Sequence, residues 1–196
     1  MKNPIKLLLA ATVLASGLSG CAMFTQNPGG AYSPVNAVSE GESKRLLLKG
    51  YDVVSYFAEN RAQPGKPDIA SQYEGVDLRF ASPEHKALFD QDPQRYLPQF
   101  GGYCANGVAY GIPWGGDPEH WRIYDGRLYI FGSAFSIEAF ELEREANLQR
   151  AHQLWDEEIA GGNSHLQRAK RMVFRVPHYK STEALEQAVQ ASKAAR

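Results

Sequence analysis

Tyr73-Glu74-Gly75-Val76-Asp77-Leu78-Arg79-Phe80-Ala81-Ser82-Pro83-Glu84 and Tyr124-Asp125-Gly126-Arg127-Leu128-Tyr129-Ile130-Phe131-Gly132-Ser133-Ala134-Phe135 read as one passage written twice. In each, an acidic residue and a glycine stand between β-prone residues, which is the signature of a tight hairpin turn. The returning strand ends in Phe80 or Phe131. Ser82 or Ser133 then stands where a helix would be capped, and Phe89 or Phe140 follows on that helix. Every matching pair is 51 positions apart, and upstream Gly50-Tyr51 and Gly102-Tyr103 match at 52. The spacing predicts a compact α+β fold: two small antiparallel hairpin-plus-helix units in tandem, followed by a helical extension.

Working outward, Ser82-Pro83-Glu84 places proline at the first position of a short helix, and Asp92-Pro93 opens a turn that stops at Leu97-Pro98. In the second unit Ile137, Phe140, Leu148, Ala151, Trp155 and Ile159 keep one face of a longer helix, with Arg144 in the vacant slot and Gly161-Gly162 as its end. Met172 to Val176 is a candidate strand stopped by Pro177. Ser181 is expected to cap a last, weakly apolar helix running to about Ser192.

The chain starts like an export signal. Lys2 and Lys6 are followed by an apolar run from Leu7 to Ala15, then small residues ending Leu18-Ser19-Gly20-Cys21. That run is too short to span a bilayer as a helix. Leu-Ser-Gly-Cys resembles a bacterial lipobox. The resemblance implies cleavage before Cys21, acylation of Cys21 with palmitate-type chains, and a bilayer as partner; Ala22 at the next position implies the outer membrane, facing the periplasm. Residues 1–20 are then signal peptide, 21–44 a lipidated cysteine and Gly/Pro/Ser-rich tether, 45–162 the main domain and 163–196 an extension.

Loss of Lys2 and Lys6 with the signal takes the formal charge from −1 to −3. There is no basic stripe of the kind a nucleic acid requires. Only two cysteines occur, Cys21 and Cys104. With Cys21 acylated, Cys104 has no intramolecular partner, so no disulfide framework holds the fold.

Gly50-Tyr51-Asp52-Val53-Val54-Ser55-Tyr56-Phe57, Tyr73-Glu74-Gly75, Phe80-Ala81-Ser82, and Asp92-Pro93-Gln94-Arg95-Tyr96-Leu97-Pro98-Gln99-Phe100-Gly101-Gly102-Tyr103-Cys104-Ala105 together resemble the YHS domain family, in particular its exported bacterial members. The similarity continues through Gly116-Asp117-Pro118, Trp121 and Asp125-Gly126-Arg127-Leu128-Tyr129, covering about residues 45–160. It implies a link to metals, because short YHS modules occur in heavy-metal ATPases with cysteines as ligands. At the corresponding positions this chain carries Ser55, Ala81 and His85, so that thiolate site is mostly erased.

What remains is Cys104. A soft thiolate suits Cu(I) or Zn(II) but needs further ligands, and His120 and His85 are the nearest imidazoles in sequence. The alternatives are a buried packing cysteine or a redox or nucleophilic thiol. Tyr51, Tyr103 and Trp121 are candidates for an aromatic ligand pocket; half-buried sheet residues are the plainer reading. No nucleophile elbow, paired-acid spacing or phosphate loop is present. The sequence therefore points to a membrane-anchored envelope protein, non-enzymatic, binding a transition metal or small ligand. A thiol-dependent enzyme and an envelope scaffold are the alternatives, and no protein partner is indicated.

Overall fold

The computed structural model describes residues 32–195. Cys21 and the signal segment lie outside the described residues. Among the described residues six strands form two sheets. β1 (Ala37–Glu40), β2 (Ser43–Leu47), β3 (Lys66–Tyr73) and β4 (Val76–Phe80) make one sheet in the order β1-β2-β4-β3; β5 (Asp117–Tyr124) and β6 (Arg127–Phe131) make a two-stranded ribbon. The fold is α+β, as expected. The helices are α1 (Ser55–Ala58), α2 (Pro83–Gln91), α3 (Pro93–Tyr96), α4 (Ala105–Val108), α5 (Ala134–Glu141), α6 (Arg144–Leu154), α7 (Ser164–Val173) and α8 (Thr182–Ala194).

The repeat extends to details of register. Both hairpins are antiparallel with positive φ at both turn residues, 47° and 78° at Glu74 and Gly75 and 49° and 71° at Asp125 and Gly126. This is the turn whose twist matches that of paired strands. Both carry a bulge at the same place: Lys66 pairs with Phe80 and Ala70 with Arg79, while Asp117 pairs with Phe131 and Trp121 with Ile130. Before each bulge a glycine lets backbones meet. A Cβ on Gly65 would lie 2.4 Å from the Arg79 carbonyl carbon, and one on Gly116 would lie 2.4 Å from the Gly102 carbonyl oxygen. Ser82 accepts from the His85 amide and Ser133 from the Ser136 amide, so both expected caps form.

Three apolar clusters fill the interior. The first unit buries Val53, Val54, Tyr56, Leu78, Phe80 and Phe89. The second buries Phe100, Tyr103, Phe131, Phe140, Ala151 and Ile159. The third joins Tyr110, Ile112, Ala139 and Leu154 to Val176, Leu185 and Val189 of the extension. α8 therefore docks on the domain through its two apolar residues, and Ser181 caps it as expected.

Four expectations change. The span 21–44 is not tether throughout: β1 lies within it, β2 begins in it and Val35 is buried. The Asn36 side-chain amide donates to the carbonyls of Gly102 and Gly116, both at 3.0 Å, clamping this edge to the joint between the units. The long helix of the second unit is broken into α5 and α6, because the Asn147 side chain takes the Phe140 carbonyl at 3.0 Å and Glu143 leaves helical geometry. Beyond α6 the chain passes through a single wide turn, Trp155–Ile159, before Gly161 ends it at positive φ. Met172 to Val176 is not a strand. Asn163 caps α7, whose ladder carries through Val173.

Candidate functional site

Phe100, Gly101 and Gly102 all have positive φ, which swings the chain so that Tyr103 bridges Gly115 and Cys104 bridges Ile130 of β6. The Cys104 amide donates to the Trp114 carbonyl at 2.9 Å. The first unit has the same construction. Leu48, Lys49 and Gly50 have positive φ, Tyr51 bridges Pro64, and the Asp52 amide donates to Gln63 at 2.8 Å. Asp52 and Cys104 are thus equivalent positions, 52 residues apart.

Their surroundings match as well. The fully buried Asp52 carboxylate accepts from the amides of Val54 and Ala81, both at 2.8 Å, and contacts His85 Nδ1 at 2.6 Å. Around the buried Cys104 sulfur stand the amides of Gly107, Gly132 and Asn106 and the Ser136 hydroxyl. Gly132 is the counterpart of Ala81, Ser136 of His85 and Asn106 of Val54. None of the contacts to sulfur closes as a standard capping bond on α4. Burial pushes the Cys104 thiol above its ordinary value, and these donors offset the effect only in part. Near neutral pH it is a protonated thiol.

The first-unit site is closed. His85 is buried on α2, its Nε2 lies 3.6 Å from a Glu59 carboxylate oxygen, and Ser55 binds the Asp52 and Arg61 carbonyls at 2.7 and 3.0 Å. The second-unit site opens into a cavity of about 470 Å³. Cys104, Gly132 and Ser136 lie on one side. Tyr110, Ile112, Trp114, Phe135 and Leu185 supply apolar walls, and Arg175 and Lys180 from the extension bring positive charge. Lys180 is paired with Glu143 at 2.5 Å, while the Arg175 guanidinium stacks 3.9 Å over the Tyr179 ring.

The residues expected from sequence fall in different places. Cys104 and His85 occupy the two separate sites just described. His120 is half-buried on β5 with its Nδ1 unpaired. Among the described residues no three His, Cys, Asp or Glu side chains are grouped to hold a metal ion. Tyr103 is buried in the second cluster, its hydroxyl within 3.1 Å of the Val35 carbonyl and of the Ser164 hydroxyl. Trp121 packs edge-on to Tyr56 at 5.1 Å, and the Tyr51 hydroxyl donates to Glu119 at 2.8 Å. None of these three aromatics lines the Cys104 cavity. The aromatics that do, Tyr110, Trp114, Phe135 and Tyr179, come from the loop after α4, the start of α5 and the extension.

No protein-family model, curated protein or solved structure matches the chain. No helix among the described residues is long and apolar enough to cross a membrane.

Proposed function

We propose that this protein is a lipid-anchored component of the bacterial cell envelope, held on the periplasmic face of the outer membrane by acylated Cys21. Its YHS-like domain binds a small ligand in the Cys104 cavity. The lipobox Leu18-Ser19-Gly20-Cys21 supports the anchor. The observation that carries the binding role is the cavity of about 470 Å³, of a size with small-molecule sites and walled by aromatic and aliphatic side chains. Arg175 at its edge favours an occupant with an apolar or aromatic body and one anionic group.

Two other occupants fit less well. A transition metal needs companion ligands beside the thiol, and among the described residues no imidazole, carboxylate or second thiol lines the cavity. A thiol enzyme needs a base, and among the described residues no imidazole lines the cavity.

The anchor is tested by metabolic labelling with a clickable palmitate. Label on the wild type that Cys21→Ser removes is the expected result. The cavity is tested with anilinonaphthalene sulfonate, an aromatic body bearing one anionic group. Saturable binding should weaken about ten-fold in Arg175→Glu, the order expected when one cation facing the sulfonate is removed from a partly dry site. Binding that ignores the substitution, or no binding, would contradict the assignment.

A further inference from the structure

α7 is mounted inside out. The face it turns to the protein is polar: Ser164 and Gln167 are buried, and Arg171 is 13% exposed in its side chain. Gln167 donates to the Gly111 carbonyl at 3.1 Å and to Glu158 at 2.9 Å; Arg171 pairs with the same Glu158. The face it turns to solvent is apolar: Leu166 is 64% exposed, Met172 57%, Val173 73%, and Phe174 just past the helix end 68%. Leu166, Ala169, Met172 and Val173 fall within one arc of a helical wheel, which the exposed His165 shares in the first turn. Surface helices of globular domains are arranged the other way round, and contiguous exposed apolar groups on this scale mark an interaction surface.

Three observations say what covers it. Residues 159–182 contain Arg168, Lys170, Arg171, Arg175 and Lys180 and no acidic residue, although the mature chain as a whole is negative. Lys170 and Arg171 are held by Glu158, while Arg168 stacks 5.7 Å over Trp114, itself 46% exposed beside the same face. A cationic rim, an exposed tryptophan and a central apolar strip form the pattern of helices that lie in a membrane interface. Finally, the Ser33 carbonyl accepts from the Gly161 amide at 2.9 Å, so the described chain begins at the root of α7. The segment from Cys21 to Tyr32 spans at most about 40 Å when fully extended.

We infer that α7 and Phe174 dock on the surface of an anionic phospholipid bilayer, laying Leu166, Val173 and Phe174 against the acyl boundary and Arg168 against phosphates; Met172 and Arg175 line the Cys104 cavity beside this face. The inference takes its orientation from the proposed Cys21 anchor. Acyl chains on Cys21 fix where the chain is tethered but leave the domain free to turn, and a second, interfacial attachment of this kind sets its pose.

The test uses residues 21–196 bearing Cys21→Ser, so that docking is read without acylation and its outcome is independent of the anchor. Flotation with phosphatidylethanolamine–phosphatidylglycerol vesicles is compared with phosphatidylcholine vesicles, together with the emission of Trp114. Expected are binding to the anionic vesicles only, a blue shift absent in Trp114→Phe, and a loss of about ten-fold or more in Val173→Asp/Phe174→Asp, two exposed positions whose apolar area would otherwise leave water. Circular dichroism establishes that this variant is folded, and Leu166→Asp supplies a second reading. No flotation, or flotation unchanged by the substitutions, overturns the inference. So does a dimer in sedimentation that the same substitutions dissolve, since the face would then belong to a second copy.

Discussion

His85 Nδ1 lies 2.6 Å from Asp52 Oδ2, and the pair occupies in the first unit the place that Ser136 and Cys104 occupy in the second. One backbone frame thus holds two chemistries. In the first, a buried carboxylate is saturated by two amides and an imidazole and the site is shut. In the second, a neutral thiol stands in a ring of donors that it satisfies poorly, and the site opens to a cavity.

Asp52 is therefore expected to be structural. Asp52→Ala strands the amides of Val54 and Ala81 and leaves His85 without its partner, at a cost of about 3–5 kcal/mol. Asp52→Ala with His85→Leu should recover part of that loss, because no polar side chain is then left unpaired. Urea midpoints of the three variants check this. An Asp52→Ala protein as stable as the wild type would contradict the pairing.

Cys104 carries a pH signature. Its thiol is raised in the folded chain, so the folded state keeps its proton where the unfolded state has lost it. Stability from this group is complete below the unfolded value, about 8.5, and declines as pH rises above it toward the folded value. Cys104→Ser should lack that decline up to about pH 10, where tyrosines begin to contribute in both proteins. Iodoacetamide should modify Cys104 more slowly than a free thiol, because the raised thiol supplies little thiolate.

The two kinds of glycine should respond differently. Gly126→Ala meets nothing within 4 Å and pays only for φ of +71°, about 1–2 kcal/mol. Gly116→Ala drives a methyl to 2.4 Å from the Gly102 carbonyl oxygen and into Ile130. It should cost about 3 kcal/mol or more, and Gly65→Ala in the first unit should behave alike. Equal, small effects at Gly116 and Gly126 would mean that the ribbon relaxes.

The hairpins and both serine caps were legible in the sequence because turn and cap chemistry is local: Glu74-Gly75 and Ser82 act within three residues of themselves. The 52-residue echo of Gly50-Tyr51 in Gly102-Tyr103 also carries the pairing of Asp52 with Cys104, the next position in each, although the two residues differ in type. The packing of Asn36 against Gly102 and Gly116 left no periodic trace, since a single side-chain amide makes both bonds across 66 and 80 positions. α7 misled for the opposite reason. Met172-Val173-Phe174 is β-prone and apolar, but the Asn163 cap and the Glu158 ion pairs hold the chain as a helix through Val173, with that apolar run facing out. The cavity could not be read at all, because its walls come from α4 and the loop after it, the turn after β6, α5 and the extension together.

The most direct test of this account is native mass spectrometry of the full-length gene product, extracted from its own envelope in mild detergent. The account predicts a chain that begins at Cys21, carries acyl groups, and retains a small molecule removed on unfolding, with that added mass lost in Ser136→Trp, which fills the cavity. An unacylated mass would contradict the anchor. An acylated chain with no added mass, or with the same added mass in the filled variant, would contradict the Cys104 cavity as the binding site.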